Sequence, residues 1–209
     1  MTSRTQLALA GVLAALVLAG CSSGATPPGG TSTAPTASTS APASPAGAGT
    51  PAVGQHVDAD VQFATMMIPH HTQAVAMSDM LLSKQGVDAK VTALATRIKA
   101  EQAPQIVQMS GWLAGWGQDP SPSSMGGMGG MGAGDGLMSQ ADMDALDHAS
   151  GDDAARLYLT GMIKHHQGAV TMAQTELAQG ENPDAKKLAQ SIVTTQKAEI
   201  TEMNGLLGG

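Results

Sequence analysis

The chain has 209 residues, with 10 Lys and Arg against 17 Asp and Glu and a formal net charge of −7. Aromatic residues make up 2% of it, so it offers neither the basic surface nor the stacking surface that nucleic-acid binding needs. A single cysteine excludes an intramolecular disulfide, and the 14 methionines are the unusual count.

The N-terminus reads as an address. Arg4 supplies a positive start and residues 7–19 are an unbroken run of apolar and small side chains. Such a run suits a signal-peptide core but falls short of the roughly 20 residues a membrane span requires. Leu18-Ala19-Gly20-Cys21 follows, a lipobox-like string that predicts cleavage after residue 20 and lipidation of Cys21. Residues 22–52 are all Ser, Thr, Gly, Ala or Pro, a composition that buries nothing and predicts a disordered tether. The expected organisation is therefore a signal peptide at 1–20, a lipidated tether at 21–55 and a folded domain at 56–207. Its place is the extracytoplasmic face of the cell membrane, held by lipid alone.

The folded part is a duplication. Residues 61–77 laid over 156–172 agree at Thr65/Thr160, Met67/Met162, Ile68/Ile163, His70/His165, His71/His166, Ala74/Ala169, Val75/Val170 and Met77/Met172. Shortened by one residue, the same offset pairs Leu94/Leu188, Ile98/Ile192, Gln102/Gln196, Ile106/Ile200 and Met109/Met203. Two aligned blocks define a true internal repeat.

Each repeat predicts two helices. The first copy spans 58–116, with Gly86 ending one helix and Asp88 capping the next; the second spans 152–207, with Gly180 and Asn182-Pro183 in those roles. Between them lie a Gly/Met loop at 117–138 and a short helix at 139–150, opened by an approximate capping box from Ser139 to Asp142. Pro69 and Pro104 fall inside helices, and the first of them predicts a kink beside the motif. No segment alternates like a strand. The predicted fold is all-α, an antiparallel four-helix bundle of two repeated hairpins with one extra short helix.

The buried stripes turn polar at mid-length. Phe63, Met67, His70, Ala74, Met77 and Leu81 recur at helical spacing, as do Tyr158, Met162, His165, Ala169 and Met172. His71 and His166 fall one position round, at the flank. On the partner helices Gln102 and Gln105, and Gln196 and Glu199, interrupt otherwise apolar stripes. Buried polar groups must bond one another or hold something. Imidazole with thioether is a soft ligand set suited to copper. His70, His71, His165 and His166 are thus candidate metal ligands, with Met67, Met77, Met162 and Met172 beside them. Gln102, Gln196 and Glu199 are expected to orient the imidazoles. Met125, Met128 and Met131 form a candidate second soft site in the loop. The acidic run Asp142, Asp144, Asp147, Asp152 and Asp153, with His148, reads as a solvated face.

A carboxylate-rich di-iron centre is disfavoured, since no Glu-x-x-His precedes either motif, and no zinc-hydrolase arrangement occurs. Two other readings stand beside copper binding. One is a structural or interaction bundle whose His, Gln and Glu bond one another; the other is a redox metalloenzyme. No residue is assigned a catalytic role, and no protein partner is implied.

At these residues the chain resembles the bacterial domain-of-unknown-function 305 proteins. The resemblance is carried by Phe63-x-x-Met66-Met67-Ile68-Pro69-His70-His71-x-x-Ala74-x-x-Met77 and Gln102-x-x-Gln105-Ile106-x-x-Met109. In the second half it is carried by Met162-Ile163-Lys164-His165-His166-Gln167-x-Ala169-x-x-Met172 and Gln196-x-x-Glu199-Ile200-x-x-Met203. It covers residues 56–207 and implies a ferritin-like helical fold, with copper binding and copper tolerance in some members. The chain departs from it at Gln105, where the family usually carries Glu, so the resemblance assigns that position no role.

Overall fold

The computed structural model describes residues 54–119 and 135–208. The described residues form five helices and no strand: α1 (Asp58–Leu82), α2 (Ala89–Gly115), α3 (Gln140–His148), α4 (Gly151–Gln179) and α5 (Pro183–Gly208). The expected signal peptide, Cys21, the expected tether up to residue 53 and Met125, Met128 and Met131 lie outside the described residues.

Local chemistry sets the helix starts. Asp88 accepts the Lys90 N–H, and Asn182 accepts those of Asp184 and Ala185, so both hairpins open their second helix on a side-chain cap. Ser139 accepts the Asp142 N–H while the Asp142 carboxylate accepts the Ser139 N–H, a reciprocal box at α3. One helix end differs from the sequence expectation, and the other falls where expected. α1 stops at Leu82, four residues before Gly86, which takes its φ of 75° inside the turn. Gly180 ends α4 in extended backbone, with φ at −72°. The Glu176 carboxylate packs against it: a Cβ would stand 2.2 Å from Oε1, so that side chain would have to move. α1 and α2 run unbroken through Pro69 and Pro104.

The four long helices pack antiparallel. α1 lies against α2, α4 against α5, and α1 against α4 across the repeat boundary. Arg97 on α2 reaches Glu202 on α5 at 2.5 Å, which closes the ring. The core has two apolar clusters. One gathers Phe63, Met67, Met109, Leu113, Ala169 and Ile192. The other gathers Met77, Leu81, Leu94, Ile98, Tyr158, Met162 and Met203. Along every long helix the histidine or Gln/Glu pair falls between these clusters, so a polar layer crosses the bundle at mid-height. Burying each large apolar side chain of these clusters contributes roughly 1.5–3 kcal/mol, which offsets the cost of the polar layer between them.

The hairpin turn of the second repeat is tied to the start of the first. The Asp60 carboxylate accepts the N–H of Val57 at 2.7 Å and those of Glu181 and Asn182 at 3.1 and 2.9 Å. Burial opposes its charge, but these bonds outweigh that and hold Asp60 below the usual carboxylate range. The acidic run at α3 and the start of α4 is exposed, a solvated face.

Candidate metal centre

The four motif histidines meet in one buried layer. All four side chains are fully excluded from solvent, including His71 and His166, which the helical stripe alone places at the flank. The bundle buries them because successive residues on a helix point about 100° apart and each finds a different neighbour. His70 on α1 faces His165 on α4, their ring centroids 3.6 Å apart. His71 turns instead to its own hairpin partner, with Nε2 2.7 Å from Oε1 of Gln105 on α2. His166 does the same on α5, with Nε2 2.9 Å from Oε2 of Glu199. The two histidine pairs thus meet where α1 packs on α4.

Gln105 is thus the counterpart of Glu199, a role the resemblance left unassigned and the aligned repeats alone pair correctly. Gln102 and Gln196 behave otherwise. They are buried, but both ends of the Gln102 carboxamide and the Gln196 oxygen lack a hydrogen-bond partner, and neither bonds an imidazole. The antiparallel register explains the difference. With His71 opposite Gln105, a residue three positions earlier on α2 sits level with Ala74, one turn past the ring. The same holds for Gln196 against Ala169.

One partner comes from outside the repeats. His70 Nε2 is 2.9 Å from the carbonyl oxygen of Asp135, 65 residues away in the segment before α3. Carbonyl and carboxylate oxygens only accept, so His70 and His166 donate from Nε2, and His71 does so to the Gln105 amide oxygen as placed. Their Nδ1 atoms then carry lone pairs, and none has a partner; His165 has neither nitrogen bonded. Five buried imidazole nitrogens are left unsatisfied, in a class of group that is ordinarily paired.

Electrostatics keep His70, His71 and His165 neutral. Burial pushes His70 down to about 4 and His71 to about 3, the second helped by the His70 charge. His165 is held well below its ordinary value by burial and then by the three other imidazoles. Near pH 7 these rings are therefore uncharged, the form that ligates soft and borderline metals. Among the described residues, though, no three His, Cys, Asp or Glu side chains already converge to hold a metal ion. The histidines are paired and bonded outward rather than aimed at one point.

Thioethers lie above and below. Met67, Met77 and Met162 are fully buried and Met172 is partly buried. Two further methionines, Met109 and Met203, are also fully buried. By symmetry they form two sets: Met67, Met109 and Met172 in one cluster, Met162, Met203 and Met77 in the other. Each set draws from both repeats.

Residues 60–207 match the family described as a domain of unknown function, DUF305. The chain belongs to that family. A DUF305 fragment from Deinococcus radiodurans is 34% identical with a TM-score of 0.64, covering 74% of this chain and 99% of that one. CopM in its Cu(I)-bound form is 32% identical with a TM-score of 0.58, covering 70% and 94%. CopM has also been solved with Cu(II) and with Ag. Among curated proteins, the uncharacterized protein L153 of Acanthamoeba polyphaga mimivirus is 44% identical over 50 residues, 24% of this chain; the match spans a third of that relative. DUF305 membership and the all-helical fold agree with the resemblance read from the motifs. Among the described residues no helix is long and apolar enough to cross a membrane.

Proposed function

We propose that this DUF305 protein binds copper at its buried histidine layer and serves as a lipid-anchored copper-binding or copper-buffering protein outside the cytoplasm. The observation that carries the reading is the set of five unsatisfied imidazole nitrogens in a buried layer between two apolar clusters that each contain methionines. His70, His71, His165 and His166 would hold the ion. Met67, Met77, Met162 and Met172 would supply thioether donors. Because the rings bond outward, binding requires imidazoles to turn inward. The copper- and silver-bound states of CopM, a relative over most of the folded part, support the same cargo class. The alternative of a self-satisfied structural network accounts for the three Nε2 bonds but leaves five nitrogens and the Gln102 carboxamide unexplained.

Titration of the full chain with Cu(I), Cu(II) and Ag(I) tests the reading through stoichiometry and melting temperature. An ion that binds only the folded state raises stability, by about 2.7 kcal/mol at a hundredfold excess over Kd. Copper that changes neither quantity, in wild type as in a variant lacking all four histidines, rules the reading out. The anchor is tested separately: Cys21→Ala should move the chain from the membrane to the soluble fraction.

A further inference from the structure

A layer with no solvent-exposed histidine needs a door, and its α1–α4 side is closed by something other than a helix. Residues 135–138 run across α4 just before α3. Gly168 of the second repeat lets their backbone pass, and Gly161 makes room for the Met138 side chain. A Cβ at Gly168 would stand 1.8 Å from the Asp135 carbonyl oxygen, and one at Gly161 2.5 Å from the Met138 sulfur. Gly136, with φ of 80°, makes the turn between them. In the first repeat the aligned positions carry Gln73 and Met66, so the duplication is broken where this segment docks.

Gln73 holds the segment from the opposite wall. Its Nε2 donates to the Met138 carbonyl at 3.0 Å and its Oε1 accepts the Met138 N–H at 2.8 Å. The same segment places the Asp135 carbonyl on His70 Nε2. Clefts open along both edges: one of about 340 Å³ beside Gly136, Met138 and Lys164, and one of about 210 Å³ beside Asp135, Met66 and Met172. The covering is thus narrow, lies outside the α-helices, and is held by two side chains, Gln73 and His70.

We propose that residues 135–138 form a removable strap over the histidine layer, with Gln73 as the positioning residue that pins it and Asp135 as the carbonyl that fixes the His70 tautomer. When the strap lifts, His70 Nε2 loses its acceptor and the α1–α4 face of the layer meets solvent. The role in cargo entry rests on the copper-binding reading; the covering of His70 does not.

The metal-free full chain tests the strap through acylation of histidine by diethyl pyrocarbonate, mapped by peptide mass, and through 15N shifts that report the His70 tautomer. Gln73→Ala should raise the His70 acylation rate roughly tenfold, as loss of two neutral hydrogen bonds implies. It should also mix the His70 tautomers while leaving His71 and His166 protected. Gln73→Glu keeps the acceptor for Met138 N–H and should fall between. Gly168→Ala displaces the strap without touching Gln73 and should give the same His70 signature. In stopped flow, Gln73→Ala should speed Cu(I) uptake with stoichiometry unchanged. The proposal is overturned if His70 stays protected in both folded variants, or if all four histidines become reactive together, which marks a loosened bundle. Should wild type bind no copper while the His70 signature appears, the strap stands and the copper reading falls.

Discussion

The imidazoles of His70 and His165 lie with centroids 3.6 Å apart and planes tilted by 39°. This contact joins the two repeats at the centre of the bundle, and His165 makes it with both nitrogens unbonded. Such a group costs about 1–3 kcal/mol of desolvation that an apolar side chain of similar size avoids. His165→Leu should therefore leave the metal-free protein as stable as wild type or more so by about 1 kcal/mol, while lowering copper stoichiometry or affinity. Denaturant unfolding with and without copper checks both halves. A large loss of metal-free stability would mean that His165 is structural.

The paired bonds His71–Gln105 and His166–Glu199 should differ in strength. A hydrogen bond to a carboxylate contributes about 1.5–3 kcal/mol and one to an amide about 0.5–1.5 kcal/mol. Glu199→Ala is expected to destabilise more than Gln105→Ala, even though the positions are equivalent in the repeat. Paired urea melts at one pH decide it; equal losses would show that the carboxylate contributes no more than the amide.

Methionine as packing and methionine as donor separate under leucine substitution. Leu conserves volume and costs less than about 1.5 kcal/mol, whereas Ala at a fully buried methionine costs about 2–5 kcal/mol. Met67→Leu, Met77→Leu and Met162→Leu should keep the fold and weaken Cu(I) binding, with less effect on Cu(II), which prefers nitrogen donors. Met172→Ala should be the mildest alanine variant, since Met172 alone of the four is partly exposed. Competition titration against a Cu(I) chelator measures the change.

Stability should fall from about pH 4.5 to about 8 because of Glu176. Its side chain is buried at the end of α4, and burial, then the Asp60 carboxylate on α1, push it up to about 8 against the partial relief of Lys186 on α5. A folded-state pKa above the unfolded value gives stability that is complete below the unfolded pKa and lost as pH rises through the folded one. Glu176→Gln cannot lose a proton and should flatten this limb. Melting curves of the two proteins between pH 6 and 9 should diverge with rising pH; parallel curves would refute the assignment.

Much of the architecture was legible in the chain. Asp88, Asn182-Pro183 and Ser139 mark helix starts through bonds to their own next turns, and such local chemistry needs no partner segment. The Met-Ile-x-His-His motif on two helices and the Gln/Glu pairs on the other two placed polar residues at mid-height on four amphipathic helices, so a buried polar layer followed from spacing. What spacing could not reach was the pairing within that layer. Gln102 and Gln105 occupy the same stripe, and only the antiparallel register puts Gln105 on His71 and leaves Gln102 a turn away.

The sequence by itself determined two hairpins, an apolar–polar–apolar core and a layer holding four histidines, because helix periodicity and caps act over a few residues. The tertiary structure alone decided that His71 and His166 are buried as deeply as His70 and His165. It also decided that the imidazoles turn outward to Gln105, Glu199 and Asp135, and that a segment 65 residues from the motif closes the layer over Gly161 and Gly168. Those contacts join residues far apart in the chain, and only the packing of α1 on α2, of α4 on α5 and of α4 on α1 brings them together.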